Sequence, residues 1–503
     1  MLWSVLLSFF LIGIALLVRW RKKHFSLFKE MGVPGPEPNL LWGNLFEYQN
    51  GPRSPALTKW CKKYGDIFGI YVGDIPFLVV TDLDILQSIF IKDFNKFTDR
   101  GYTMPTDQEH PFLGSSILHA KGRWWKTLRT CITQGFTSSK LKQMFPHISH
   151  VADLFIDILS EHADSGKEVS MLKVFRGLSM DYVGRAAFGI DHFFQRDLAH
   201  PFLQQAIEAL PGTMCGFFHN LACCTSTLRV LTAPLLWLNS KFGDFTYATF
   251  TNQTAKVAEL RKKNPSLPKA DILQALIDAE VTDEKTDTGR NGKKLSFDDV
   301  CINSTVLFIA GFETTATALS YLIFNIAKHP AVQEKLRTEV INAVGESGNL
   351  DFATTMNLKY MKQVFDETLR QHPPGVTFTT RTAVEDVEYK GVKIKAGMSI
   401  MAPTYQIQMD PRHWPNPEEF DPERFSPENR ARQHPMAYQA FGMGPRNCLG
   451  MRMAILEAIY TAARILLKFR LELGNSQKGE MKMDYYSTVS VPANGPWIKF
   501  HQI

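Results

Sequence analysis

Hydrophobic positions crowd the start of the chain. The run from Leu2 to Val18 is interrupted only by Ser4, Ser8 and Gly13, and Arg19, Arg21, Lys22 and Lys23 come directly after it, with Trp20 among them. Roughly 20 apolar residues span a bilayer. The pattern therefore predicts a membrane helix just long enough for a thin membrane such as the endoplasmic reticulum, with Trp20 at the interface. A cleaved signal peptide would carry its basic residues before the apolar run and a small-x-small site after it. Here the order is reversed and no such site is present. Basic residues after the span place the rest of the chain in the cytosol. Next comes Val33-Pro34-Gly35-Pro36-Glu37-Pro38, whose prolines make a stiff spacer with few backbone donors.

From about Gly51 onward, apolar residues recur mostly three and four apart. This spacing predicts helices over 151–159, 300–326, 332–344 and 361–370. Shorter strand-like runs occupy 67–72, 77–80 and 387–394. The polar stretch 281–294 reads as an exposed loop. No linker, repeat or low-complexity tract divides the body. The pattern thus predicts an anchor over 1–23, a proline-rich linker over 24–50, and one large, mainly helical domain with small β-sheets over 51–503. The segment 217–238 is apolar and aromatic with few charges. It is either a second membrane contact or a buried helix pair.

Composition narrows the class. The 503 residues are 45% hydrophobic and 21% charged, which excludes a disordered chain. A net charge of +6 gives no case for nucleic acid. The seven cysteines are odd in number and widely spaced, except for the adjacent Cys223 and Cys224. They form no disulfide framework and suit a reducing compartment.

Cys448 stands apart. It lies in Phe441-Gly442-Met443-Gly444-Pro445-Arg446-Asn447-Cys448-Leu449-Gly450, with no second Cys or His at zinc spacing. Zinc needs four protein ligands, or three and a water. A lone Cys in a turn suits haem iron, whose equatorial ligands come from a macrocycle. The glycines let backbone approach a flat ring and aim N–H groups at the sulfur, keeping the thiolate ionised. A bare cysteine could equally be a buried structural one. The pattern Phe-x-x-Gly-x-Arg-x-Cys-x-Gly is far more specific, and it resembles the haem-binding signature of cytochromes P450.

A second constellation lies within the longest helical stretch, at Ala310-Gly311-Phe312-Glu313-Thr314-Thr315. Ala310 and Gly311 leave room for a planar ring and for dioxygen. A Thr314 hydroxyl bonded to the i−4 carbonyl would open a polar notch, and Glu313 beside it could feed protons through water. A buried helix with a solvated Glu is the plainer alternative. Beside Cys448 the run resembles the oxygen-activating helix of the same family, whose acid–alcohol pair matches Glu313 and Thr314.

The resemblance implies further roles. Glu367 and Arg370, at i and i+3 on a helix, match a Glu-x-x-Arg pair that joins Arg424 of Pro422-Glu423-Arg424-Phe425 to brace the Cys loop. Trp125 and Arg129 match a Trp-x-x-x-Arg pattern that holds a haem propionate, with Trp124 the competing indole. Arg446 and Arg381 match other propionate partners, and Arg100 is a further candidate. Phe441 and Ala310 would touch the ring. Phe112, Ile117, Ile309, Val376 and Phe378 fall on segments that line the family's substrate pocket.

The whole is similar to the microsomal, xenobiotic-metabolising P450 clan and its thromboxane-synthase kin. That likeness implies a P450 fold with haem b, and insertion of one oxygen atom from O2 into a lipophilic substrate such as a xenobiotic, steroid or lipid. It also implies electrons from NADPH–cytochrome P450 reductase, with cytochrome b5 a further candidate partner. A P450-fold peroxide isomerase or dehydratase is the alternative, and a haem sensor or lipophile-binding protein is a third reading. The intact Glu313–Thr314 pair speaks against both. The membrane of the endoplasmic reticulum, with the catalytic domain facing the cytosol, is the implied location.

Overall fold

The apolar N-terminal run forms α1 (Leu2–His24), with the side chains of its apolar stretch exposed. At about 1.5 Å per residue, its 23 residues reach across a bilayer core. The structure is a computed structural model that describes all residues except 1, 52, 102–113, 191, 243–245, 265–270, 282–294, 478 and 487.

Residues 24–50 do not stand clear of the body. Phe28, Leu45 and Tyr48 are buried, and Phe28 packs so closely over Gly69 that a Cβ there would meet its ring at 2.2 Å. The reason is an open sheet edge. Strand β1 (Ile67–Val72) is the outer strand of its sheet, and the Gly69 N–H donates to the carbonyl of Pro34 at 2.9 Å. Prolines lack a donor but keep an acceptor, so the proline-rich segment lies along that edge.

In this sheet β1 pairs antiparallel with β2 (Ile75–Val80). The next strands, β4 (Thr379–Thr382) and β7 (Ser399–Ala402), are antiparallel to each other, and β7 runs parallel to β2 with Val79 opposite Met401. A three-stranded sheet joins β3 (Val169–Ser170), β8 (Phe469–Leu473) and β11 (Trp497–Gln502). Two hairpins complete the set: β5 (Val387–Tyr389) with β6 (Val392–Ile394), and β9 (Met483–Tyr486) with β10 (Val489–Pro492).

The rest is mainly helical. In chain order the helices used below are α2 (Gly122–Thr133), α3 (Ser138–Asp164), α4 (Met171–Asp181), α5 (Pro201–Met214), α6 (Phe217–Cys224), α7 (Arg229–Phe242), α8 (Phe297–Lys328), α9 (Pro330–Val344), α10 (Lys359–Gln371) and α11 (Met451–Lys468). α8 is opened by a capping box, in which Ser296 and Asp299 satisfy each other's backbone N–H. It is apolar enough to cross a membrane, but 78% of its apolar window is buried in the body. A helix that is apolar all round belongs in a core, and α4, α10 and α11 pack against this one.

Candidate active site

Segments far apart in the sequence line one cavity of about 360 Å³. They come from α2 and the loop before it, from the middle of α8, from residues 374–379, and from the loop that leads into α11.

The Cys448 loop doubles back on itself. The Cys448 N–H donates to the Phe441 carbonyl at 2.8 Å, and the Asn447 N–H donates to Gly444 at 3.0 Å. Gly442 and Gly444 sit at φ +69° and +73°, where a side chain would be strained. A Cβ on Gly444 would also lie 1.9 Å from the Phe90 carbonyl. Phe441, Arg446 and Cys448 all face the cavity. The thiol is exposed to that cavity. Burial pushes its pKa up, while the Gly450 N–H, the Arg129 and Arg100 guanidiniums and the Met451 N–H pull it back.

Arginines gather at one rim. Arg100, Arg129, Arg381 and Arg446 line the cavity together with Trp125. Arg129 spends both terminal nitrogens on Asn447, at 2.7 Å each. Arg100, Arg381 and Arg446 each bond backbone carbonyls and keep one buried N–H with no partner. Burial first, then the neighbouring guanidiniums, depress their pKa values, to about 10 for Arg100 and about 9 for Arg446. Asp99 stands 4.0 Å from Arg446 and already takes the Gly122 N–H. Buried cations with spare donors call for an anion. A ring carrying two carboxylates, seated over a thiolate, fits this donor set, as haem does. The Trp124 indole N–H is taken by the Ser115 carbonyl at 3.2 Å. Trp125 is the indole that lines the cavity, under the Arg446 guanidinium at 4.3 Å from its ring centre.

Behind the loop, Glu367 is fully buried and takes Arg370 at 2.7 and 2.9 Å. Arg424 approaches it to 3.4 Å, and the Asp421 N–H donates to it at 2.9 Å. Arg370 also reaches the carbonyls of Gln408 and Pro417 at 2.9 and 2.7 Å. One carboxylate thereby ties α10 to residues 421–424, ahead of the Cys loop.

On α8, Ala310, Gly311 and Thr314 face the cavity. The Thr314 hydroxyl donates to the Ala310 carbonyl at 2.6 Å. The buried Ser179 hydroxyl of α4 serves the next carbonyls, Phe312 at 2.7 Å and Gly311 at 3.4 Å. Gly311 lets Val183 approach, since a Cβ would sit 3.1 Å from its methyl. These contacts offset the roughly 1 kcal/mol that a mid-helix glycine costs.

Glu313 departs from the expectation. It does not line the cavity. Its buried carboxylate is gripped by Arg176 of α4, with Nη2 at 2.5 Å and Nε at 3.0 Å. Successive helix residues point about 100° apart, so Thr314 and Glu313 serve different neighbours, and a buried carboxylate needs a cation. Arg176 lies 137 residues upstream, and no motif in the sequence flags it.

The structure adds a second acid that sequence reasoning misses. Glu457 of α11 is buried and does line the cavity. One of its oxygens has no partner. Burial raises its pKa to about 8, against a hydrogen bond with Thr315 that lowers it. The available signal is a lone Glu inside the apolar run Met453-Ala454-Ile455-Leu456-Glu457-Ala458-Ile459, nine residues after Cys448.

Of the expected pocket residues, Ile117, Ile309 and Phe378 line the cavity, with Leu118, Leu210 and Met214 beside them. Val376 does not. Its segment pairs with the turn before β10, with the Val376 N–H on Thr488 at 2.9 Å and the Ser490 N–H on Pro374 at 2.8 Å, and this pairing turns Val376 into the packing. Phe112 lies outside the described residues.

A family profile described as Cytochrome P450 matches residues 33–500. Cytochrome P450 3A2 of Rattus norvegicus is 32% identical over 470 residues, covering 93% of this chain and 90% of that protein. Cytochrome P450 3A5 of Homo sapiens is 32% identical over 475 residues, covering 94% and 92%. Cytochrome P450 3A41 of Mus musculus is 32% identical over 470 residues, covering 93% and 90%.

Proposed function

This chain belongs to the cytochrome P450 family, with haem b as its cofactor, and on that premise we propose that it inserts one oxygen atom of O2 into lipophilic molecules, fed by electrons from NADPH–cytochrome P450 reductase. The observation that carries this reading is the cavity itself, which brings Cys448, a rim of arginines and the Thr314 notch around one apolar space. When bound, the haem supplies activation of O2 and transfer of the oxygen atom.

The chain's own residues do the rest. Cys448 would be the residue that holds the haem iron, with the Gly450 and Met451 N–H groups and the Arg129 and Arg100 guanidiniums offsetting part of the burial that favours its thiol form. Arg100, Arg381 and Arg446 would hold the haem's two carboxylates on their spare N–H groups, with Arg129 and Trp125 at the same rim. Glu367, Arg370 and Arg424 brace the loop and touch no substrate. Ile117, Ile309 and Phe378 exclude water and orient an apolar substrate. The Thr314 hydroxyl holds a proton at the cavity wall. Glu313 can resupply it only when Arg176 lets go, whereas Glu457 already faces the cavity with a proton to give at neutral pH.

α1 anchors the protein in the endoplasmic reticulum with the body in the cytosol, and the apolar faces of α6 and α7 rest on the same bilayer. The anchor occupies 1–23, and the proline-rich segment 24–50, expected as a linker, packs on the haem body that continues over 51–503.

The test is spectroscopic and chemical. The reduced protein with CO should show the red-shifted Soret band of thiolate-ligated haem, and Cys448→Ser should lose both that band and turnover. A panel of lipophilic compounds with reductase and NADPH should give oxygenated products. Rapid anaerobic conversion of an endoperoxide, with no compound drawing NADPH consumption, would favour the isomerase reading instead.

A further inference from the structure

Asp74 is the most heavily bonded carboxylate outside the active site among the described residues. It lies in the tight turn between β1 and β2 and is fully buried. Its oxygens take Arg21 Nη1 at 3.1 Å, the backbone N–H groups of Ser226 and Thr227 at 3.1 and 3.0 Å, and both of their hydroxyls, Ser226 at 2.5 Å. Its backbone is engaged as well. The Asp74 N–H donates to Cys223 at 2.9 Å, and the Asp74 carbonyl meets His24 Nε2 at 2.6 Å. Gly73 beside it, at φ +70°, sits so close to the Cys223 carbonyl that a Cβ would lie 2.2 Å away.

Arg21, in the last turn of α1, completes the knot. It is buried and also donates to the carbonyls of Leu40, Leu41 and Cys224, at 3.0, 2.7 and 2.9 Å. A basic residue after a membrane span ordinarily reaches for solvent. This one is spent inside the protein, on Asp74, on residues 40–41 and on the last carbonyl of α6, while Asp74 in turn holds Ser226 and Thr227 in the segment that joins α6 to α7. The two helical stretches there bend by 77°. Their outer face carries Phe217, Val230, Leu231, Leu235, Trp237 and Leu238, all exposed. No carboxylate occurs between 217 and 242. A contiguous apolar face of this kind needs a partner.

We propose that the Asp74 turn is a joint that locks the cytosolic end of α1 to the α6–α7 hairpin, so that the anchor and the apolar face of α7 form one lipid-contacting surface held at a fixed angle. The occupant is the bilayer, because the face is tied directly to the end of a helix whose apolar length is exposed and long enough to span it. A flexible anchor would leave the body free to roll, and the α7 face would touch lipid only part of the time. A buried charge-assisted knot removes that freedom, and breaking one partner of a buried pair is costly. The joint rests on the proposed contact of α6 and α7 with the bilayer.

The experiment places a spin label on Val230→Cys in the full-length holoprotein, reconstituted in phosphatidylcholine vesicles, with the same labelling of the unsubstituted protein as blank. Collisions with lipid-soluble oxygen and with an aqueous nickel chelate report depth. The label should be accessible to oxygen and shielded from nickel. Adding Arg21→Gln should raise nickel accessibility severalfold, while the anchor resists carbonate extraction and the CO spectrum is unchanged. The pair Ser226→Ala with Thr227→Val should do the same more weakly, and it serves if Arg21→Gln fails to fold. Nickel shielding that survives both sets of changes overturns the joint. Nickel access in the unaltered background overturns the membrane contact itself.

Discussion

The Cys448 loop and the notch in α8 line the same cavity but are fixed by different means. The loop is set by backbone geometry, with two glycines at positive φ, a return bond to Phe441, and a brace of fully buried ions in which Glu367 holds Arg370. The notch is held by side-chain hydroxyls, Thr314 on Ala310 and Ser179 on Phe312, and by the Arg176 grip on Glu313. The loop's bonds are main-chain and cannot rotate away, whereas the Thr314 and Ser179 hydroxyls can turn about a single bond to a new partner. One wall is built to keep a ligand atom still, and the other to let protons move.

The comparison breaks most severely at the brace. Arg370→Ala strands Glu367 in the interior with only Arg424 nearby, and loss of one partner of a buried pair costs about 3–5 kcal/mol. Denaturant titration of the holoprotein, followed by the haem absorbance, should show that loss together with release of haem. An unchanged midpoint would mean that the backbone alone fixes the loop.

The opposite wall should fail in function without failing in structure. Thr314→Ala should keep the CO spectrum and substrate binding, because its hydroxyl bonds a carbonyl of its own helix and the residue faces the cavity. Product formed per NADPH should fall, with the difference appearing as hydrogen peroxide or water. Positioned proton transfer contributes roughly 10²–10⁴-fold, and bound water replaces part of it. Full coupling in this variant would remove Thr314 from proton delivery.

These two walls are not equally legible in the sequence. The Cys loop and the Glu-x-x-Arg pair can be read because a backbone turn and an i, i+3 contact are local, and local geometry leaves a local motif. The helix periods likewise locate α8, α9 and α10 to within a few residues at each end. Glu313 reads as a free acid because its partner, Arg176, comes from α4, and no pattern in either segment records the contact. Val376 reads as a pocket wall because its segment does border the cavity, while its pairing with residue 488 is invisible in the chain. The proline-rich segment reads as a stiff spacer, and its docking on β1 is invisible for the same reason, since an open sheet edge is a property of the assembled sheet.

Glu457 sharpens the comparison, because it puts a titrating acid against the cavity on the rigid side. Its folded pKa of about 8 lies above the usual 4.5, so the folded protein keeps a proton that the unfolded chain gives up. Between those values stability should fall as pH rises, by up to about 1.4 kcal/mol per unit, and level off above 8. Glu457→Gln removes the ionisation and therefore the slope. Denaturation midpoints measured at pH 5.5 and 7.5 should diverge for the wild type more than for the variant. Equal slopes would show that Glu457 titrates normally.

The smallest effect tests where the movable wall ends. Ile309 lines the cavity, whereas Val376 is buried and is not part of its lining. Ile309→Ala enlarges the space above Thr314, and one methylene in an apolar pocket is worth about 1–3 kcal/mol of discrimination. The ratio of kcat/KM for two substrates differing only in size, or the ratio of two oxidation products from one substrate, should therefore shift by about tenfold or more. Val376→Ala should lower the thermal midpoint and leave that ratio alone, because its side chain meets protein on all sides. If both variants shift the product ratio alike, residues 374–379 bound the substrate differently from the arrangement described, and the selectivity wall extends into the packing around Thr488.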